Sequence, residues 1–225
     1  MGKLRILSRS DEPFQDREEA GRLLAAELSE YKGQNTVVLG VPRGGVVVAR
    51  ELASGLDAEL DIVLAHKLRT PGYGELAMGS VAEDGKLFLN QDVVGPMGVA
   101  DVYIQEEKAR QLAEIKRRAG LFRHARPKIP LKGRIAIVTD DGVATGATTQ
   151  AALWAVRMEQ PARLIAAIPV GSEETIRRLS NDVDEMLCLR CPPTFSAVGQ
   201  FYREFYSVED EDVLAILKKE GERVG

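Results

Sequence analysis

Residues 134–149 read RIAIVTDDGVATGATT: an apolar run, two adjacent carboxylates, a loop of small residues and a helix-like segment. A short continuous apolar run is typical of a strand buried in a parallel sheet. Small residues let backbone N–H groups approach an anion closely. A helix start adds unpaired N–H groups and the positive end of the helix dipole. The stretch therefore predicts a strand, a cradle for one phosphate monoester and a helix, in that order.

The same alternation of apolar runs and helical patterns continues on both sides of this stretch. Buried strands are predicted at 36–41, 60–65, 134–138, 164–170 and 183–189, and helices at 14–31, 46–56, 101–118, 146–158, 173–179 and 210–219. Alternation of this kind favours an α/β fold with an open, mostly parallel, twisted sheet, here as a single domain over 1–225. Ligands of such sheets bind beyond the carboxyl ends of the strands.

Three further segments break this alternation. Two short strands, 76–81 and 86–89, are predicted to form a hairpin. Residues 66–76 contain Pro71, Gly72 and Gly74 and are predicted to lack regular structure. Residues 123–131, with two prolines, are predicted to be a linker.

Composition excludes several classes of protein. The 225 residues include 30 Lys and Arg against 34 Asp and Glu, a net charge of −4, which argues against a general nucleic-acid binder. The longest apolar stretches are too short to cross a bilayer, so no membrane partner is expected. The first residues do not form a secretory signal, and two cysteines suit a reducing compartment. A cytoplasmic location is therefore predicted.

The adjacent carboxylates Asp140 and Asp141 would repel a phosphate bound beside them, so they need donors or a cation. Ribose hydroxyls are donors, and Mg²⁺ is a hard cation suited to oxygen ligands. Both fit a sugar phosphate bound with magnesium. Taken alone, the tripeptide Asp140-Asp141-Gly142 has an alternative interpretation: the start of a helix at which the two acidic residues have no binding role. No lysine follows Gly146 as a P-loop requires, and no dinucleotide fingerprint follows any predicted strand.

Residues 137–148 resemble the phosphoribosyl pyrophosphate (PRPP) signature of the type I phosphoribosyltransferases. The resemblance implies that Asp140 and Asp141 contact the ribose hydroxyls of PRPP, directly or through the water shell of a bound Mg²⁺. It implies that the loop after them binds the 5′-phosphate. The residues carried over to that role are Ala144, Thr145, Gly146, Ala147 and Thr148.

The segment Gly40-Val41-Pro42-Arg43-Gly44-Gly45 resembles the family's pyrophosphate loop, where backbone amides meet the leaving group. Gly44 leaves the backbone open, and Arg43 offers a fork of donors to phosphate oxygens. The family often has a non-proline cis peptide in this loop, so one is expected near Arg43–Gly44. The alternative is a tight turn that needs glycine between a strand and a helix.

Lys67 and Arg69, after the second predicted strand, are expected to neutralise pyrophosphate; the alternative is an exposed basic loop. Residues 67–85 resemble the family's mobile loop, which closes over the substrate. Residues 192–225 form an aromatic-rich hood or tail, whose rings are predicted to pack in the core or at a dimer interface. The likeness to a bacterial and archaeal branch of predicted phosphoribosyltransferases covers residues 8–215, and family members commonly form homodimers.

The resemblance implies displacement of pyrophosphate from Mg-PRPP by a nitrogen nucleophile, either a nucleobase or an amine. The catalytic residues are then Asp140, Asp141, Lys67 and Arg43. In the family's 6-oxopurine enzymes an aspartate stands where this chain has Ala144, which disfavours a hypoxanthine–guanine assignment. The alternative function is a PRPP-binding regulatory protein without turnover.

Overall fold

Six parallel strands form the central sheet of the computed structural model, which describes residues 2–223. In spatial order they are β1 (Lys3–Ser8), β9 (Glu185–Arg190), β8 (Arg163–Val170), β7 (Ile135–Thr139), β2 (Thr36–Gly40) and β3 (Glu59–Ile62). The α/β fold with a mostly parallel sheet is confirmed. Because β7 pairs with β2, the loops after these two strands meet at the carboxyl edge of the sheet.

Helices pack on both faces of this sheet and against the smaller sheet described below. They are α1 (Arg17–Glu27), α2 (Gly44–Leu56), α3 (Gln91–Val94), α4 (Asp101–Phe122), α5 (Ala147–Arg157), α6 (Glu173–Leu179) and α7 (Asp210–Arg223). Successive side chains of a strand point to opposite faces, so Val38 joins the core under α1 and α2 while Val37 and Leu39 join the core under α5 and α6. Both faces are therefore buried, which explains the continuous apolar runs.

A second, antiparallel sheet contains β4 (Ala65–Thr70), β5 (Tyr73–Ala82) and β6 (Leu87–Leu89). The prediction of no regular structure over 66–76 is wrong, and most of the predicted mobile loop 67–85 is a β-hairpin. Pro71 and Gly72, with φ +74°, form the turn between two strands instead of interrupting them. The sheet contacts α4 and α5. Its ring Phe88 stacks on Trp154 of α5, with centroids 4.6 Å apart.

The remaining predicted elements are confirmed within a few residues, and neither β1 nor α3 was predicted. Asp16 caps α1, because its Oδ1 accepts the Glu19 backbone N–H at 2.7 Å. None of the helices within residues 2–223 has both the length and the apolar character needed to span a membrane.

Candidate active site

The loop predicted to cradle a phosphate follows β7 and leads into α5. Val143 is pinned to the end of β8, since its N–H donates to the Val170 carbonyl at 2.8 Å. Gly146 precedes the helix at φ +73°, and no side chain among the described residues caps the first turn of α5. The N–H groups of that turn are therefore open to an anion.

Helix α6 braces this loop from outside. Thr175 Oγ1 donates to the Ala144 carbonyl at 2.8 Å, and Arg178 Nη2 donates to the Thr145 carbonyl at 2.6 Å. A Cβ on Gly146 would lie 2.6 Å from Thr175 Cγ2, so a side chain at this position would push the brace away. The carbonyl oxygens that would repel a phosphate are thus engaged by α6.

Each carboxylate of the acidic pair is fixed by its neighbours. Asp141 Oδ2 accepts from Arg17 Nε at 2.9 Å and lies 2.8 Å from Arg17 Nη2. Asp140 Oδ1 accepts the Asp141 N–H at 2.9 Å, and its Oδ2 accepts from Thr149 Oγ1 at 3.3 Å. The Tyr202 hydroxyl donates to the Asp141 carbonyl at 2.5 Å. The Nε hydrogen bond and the closest Nη2 approach from Arg17 thus both reach Oδ2 of Asp141.

The acidic pair is short of positive charge. Burial, together with the neighbouring Asp141 charge, raises the pKa of Asp140 well above its ordinary value. Burial also raises the pKa of Asp141, and Arg17 opposes that rise. One guanidinium beside two partly buried carboxylates leaves a place where a cation would be stabilised.

The donor set fits magnesium held together with a substrate. Within residues 2–223, no three His, Cys, Asp or Glu side chains cluster as a metal cage. Mg²⁺ typically keeps several waters and is held by one or two carboxylates plus substrate phosphates. Asp140 and Asp141 would hold it in this way.

The glycine loop after β2 lies directly against the acidic pair. A Cβ on Gly44 would collide with the Asp141 carboxylate, and a Cβ on Gly45 would lie 2.8 Å from Asp140 Cα. The peptide Pro42–Arg43 is cis, one bond before Arg43–Gly44, near which it was expected. The two predicted substrate loops are therefore in contact.

Arg43 has different surroundings from Lys67 and Arg69, the two residues of β4 that are also predicted to bind pyrophosphate. Arg43 Nη1 donates to Glu209 Oε2 at 3.2 Å and lies 3.9 Å from Asp210 Oδ1. Lys67 and Arg69 belong to the antiparallel sheet, and the Arg69 backbone N–H and carbonyl contact side chains of α4. The contacts of the acidic pair given above come from α1, α5, the glycine loop after β2 and the C-terminal segment, so a role for Lys67 and Arg69 stays a prediction.

The phosphoribosyl transferase domain model matches residues 14–205. The chain belongs to this family.

Relatives of this phosphoribosyl transferase domain match nearly the whole chain. Two candidate phosphoribosyl transferases of Mycobacterium tuberculosis, from strains H37Rv and CDC 1551, are each 44% identical over 206 residues. The match covers 92% of this chain and 46% of each relative, so the chain spans about half the length of these curated relatives. The crystal structure of TT1426 from Thermus thermophilus is 46% identical, with a TM-score of 0.87, over 92% of this chain and 98% of that one. The two share one fold.

Arg17 and Tyr202 of this family member belong to the site, although the sequence pattern does not predict either of them there. Arg17 lies 124 residues before Asp141 and reads as part of the polar face of a surface helix, yet it is 8% exposed. Tyr202 was included only among aromatic residues of the tail. Its buried hydroxyl stays protonated, since burial and the Asp141 charge raise its pKa well above the ordinary value. The sole signal for Arg17 was its position next to the helix cap Asp16.

Proposed function

We propose that the protein transfers the phosphoribosyl group of Mg-PRPP to a nitrogen nucleophile, a nucleobase or an amine, and releases pyrophosphate. The observation that carries the proposal is the junction of the two loops. The acidic pair lies between an open helix N-terminus on one side and the backbone of Gly44 and Gly45 on the other. A 5′-phosphate, a ribose and a pyrophosphate need this order of sites.

Each part of the site has one role in this proposal. Residues 144–148 bind the 5′-phosphate, Asp140 and Asp141 bind the ribose hydroxyls, and the amides of residues 43–45 bind pyrophosphate with Arg43, Lys67 and Arg69. A bound Mg²⁺ supplies positive charge for the leaving group. The carbon–oxygen bond at C1 breaks with its electron pair on pyrophosphate, and a carbon–nitrogen bond forms. The protein positions the reactants and offers preformed donors where charge develops.

The wider setting of this activity is also proposed. The protein acts in the cytoplasm as a homodimer. Ala144 removes the carboxylate that 6-oxopurine enzymes place at this position, so the proposed acceptor is an adenine-like base, a pyrimidine or an amine.

The function is tested by pyrophosphate release from Mg-PRPP across purines, pyrimidines and amines, beside a lane without acceptor. Release that depends on one acceptor class is the expected result and names that class. Tight PRPP binding without release for any acceptor would replace the transferase with the regulatory alternative. Absence of both would mean that the loops do not bind PRPP.

The acidic segment before α7 is expected to compete with pyrophosphate for Arg43. Replacing Glu209 by glutamine removes the charge at 3.2 Å from Arg43. Because this ion pair is exposed, it is worth roughly 0.2–1 kcal/mol, and the KM for PRPP should fall about two- to fivefold. Steady-state rates at varied PRPP concentration measure this. Glu211→Gln, which removes a charge from the same acidic stretch, is the control, and an equal fall in both variants would contradict the competition.

The brace from α6 is expected to affect PRPP binding. Thr175→Val keeps the side-chain shape and removes the hydrogen bond to the Ala144 carbonyl. A hydrogen bond of this kind contributes about 0.5–1.5 kcal/mol, so the Kd for Mg-PRPP should rise roughly two- to tenfold in calorimetry. The control is Ser180→Ala, whose lost hydroxyl contacts the Arg177 carbonyl, outside the cradle. An unchanged Kd in Thr175→Val would show that the loop keeps its shape without the brace.

A further inference from the structure

One buried guanidinium joins the acidic pair to the C-terminal segment. The Arg17 side chain is 10% exposed. Its Nε and Nη2 contact Asp141 Oδ2, while Nη1 donates to the Tyr206 carbonyl at 2.8 Å. The guanidinium carbon lies 3.9 Å from the centroid of the Phe205 ring. Arg17 is therefore held from two directions, by a carboxylate and by the backbone and ring of another segment.

We call residues 202–206 the clasp. The clasp is anchored independently of Arg17, because the Arg203 N–H donates to the Phe14 carbonyl at 2.8 Å and the Glu204 N–H to the Gln15 carbonyl at 2.9 Å. Its first residue, Tyr202, also holds the peptide of Asp141. The residues just before Arg17 and the clasp thus form one rigid support at the edge of the acidic pair.

Stability alone does not account for this ion pair. Replacing a buried ion pair by apolar side chains of similar volume is often neutral or stabilising, because two charges lose their hydration. The geometry does have a use for substrate binding. The Nε hydrogen bond and the closest Nη2 contact both fall on Oδ2 of Asp141, and holding this oxygen fixes the plane of the carboxylate. A planar fork with several donors can hold a carboxylate and a carbonyl at once, which an ammonium group does less rigidly.

We propose that Arg17 is a positioning residue that fixes the Asp141 carboxylate for the ribose hydroxyls of PRPP, while the clasp fixes Arg17. This inference rests on the proposed function, and it assigns Arg17 an effect only through Asp141. Preorganised binding groups need a supporting shell of this kind, since small displacements of a contact group weaken binding.

The test compares Arg17→Met, Arg17→Lys and the control Arg22→Met, which removes an exposed arginine of the same helix. Calorimetry with Mg-PRPP and steady-state rates are measured for each, and thermal melting establishes the folded fraction. Arg17→Met is expected to raise both the Kd and the KM for PRPP about tenfold or more. Arg17→Lys should recover part of that loss, and Arg22→Met should match the wild type.

A double-mutant comparison shows whether Arg17 acts through Asp141. In an Asp141→Ala background, where Arg17 has no carboxylate left to position, Arg17→Met should cause no further loss of PRPP affinity. Losses of PRPP affinity that add in the double mutant would overturn the proposal. It would also be overturned if the kcat of Arg17→Met fell in proportion to its folded fraction while its KM stayed unchanged.

PRPP binding and pyrophosphate release by the wild type, measured separately, distinguish a failure of this inference from a failure of the proposed function. A wild type that binds PRPP but releases no pyrophosphate overturns the transferase, and the binding measurements still decide the role of Arg17. A wild type that does not bind PRPP overturns both.

Discussion

Replacing Asp141 by asparagine is expected to lower acceptor-dependent pyrophosphate release by about a hundredfold or more. Asparagine keeps the shape of the side chain and still accepts a hydrogen bond from Arg17, but it carries no negative charge. A carboxylate that contacts ribose and the metal's water shell acts on the charge that develops in the transition state, where one such group is worth roughly 10²–10³ in rate. Initial rates with the acceptor found in the panel measure the effect.

The matched control is Asp57→Asn. Asp57 is exposed at the end of α2 and has φ 52°, a left-handed conformation that asparagine also adopts readily. This control should keep wild-type rates, and both variants should keep the circular dichroism spectrum of the wild type. Turnover at the wild-type level in Asp141→Asn would remove this residue from the site and, with it, the main support for the transferase.

Replacing Arg123 by methionine is expected to lower the free energy of unfolding by about 3–5 kcal/mol, because a buried charge then loses its partner. Arg123 Nη1 lies 2.6 Å from Asp61 Oδ1, and Nη2 lies 2.6 Å from Glu83 Oε1. Asp61 is 1% exposed and also accepts the Ile129 N–H at 2.9 Å. The three charged residues join β3, the turn after β5 and the end of α4.

The destabilisation by Arg123→Met should depend on pH. Burial raises the pKa of Asp61, and Arg123 opposes that rise, so the variant raises it further. A carboxyl whose pKa is higher in the folded than in the unfolded protein opposes folding at neutral pH and ceases to do so once it is protonated. The deficit should therefore be largest near neutral pH and shrink as the pH falls.

Urea unfolding at several pH values checks both statements. Arg117→Met serves as the control because Arg117 is an exposed residue of the same helix, paired with Glu114 at 2.8 Å. It should change the free energy of unfolding by less than about 1 kcal/mol. An Arg123→Met protein as stable as this control would show that the ion pairs of Arg123 add little.

The strand, loop and helix of the predicted phosphate cradle could be predicted because their signals are local. An apolar strand, two carboxylates, small residues and a helix follow one another within residues 134–149, and each acts on its nearest neighbours in the chain. The order of strands was predictable only as a class, since alternation favours a parallel sheet without stating which strands pair. The cis peptide near Arg43 was expected only from the family resemblance.

The supports of the site could not be predicted because they are formed by distant parts of the chain. Arg17 becomes buried only when α1 and the clasp meet at Asp141, and nothing in its own neighbourhood indicates that. Arg123 is the first residue of a stretch whose prolines favour a linker. Its partner Asp61 lies 62 residues earlier, so nothing near Arg123 in the sequence indicates the ion pair. The β4–β5 hairpin was not predicted, since Pro71 and Gly72 fit an irregular loop as well as a tight turn.

The stacking of Phe88 on Trp154 means that the intrinsic fluorescence of the protein reports on one contact. The chain has one tryptophan, so its emission comes from a single known place. That place is the contact between the antiparallel sheet and the helix whose first turn forms the phosphate cradle. The indole N–H also donates to Asp182 Oδ1 at 2.9 Å, which ties the same ring to the turn after α6. Trp154 thus contacts three elements around the predicted phosphate cradle, so a change in their packing on addition of Mg-PRPP would change its emission.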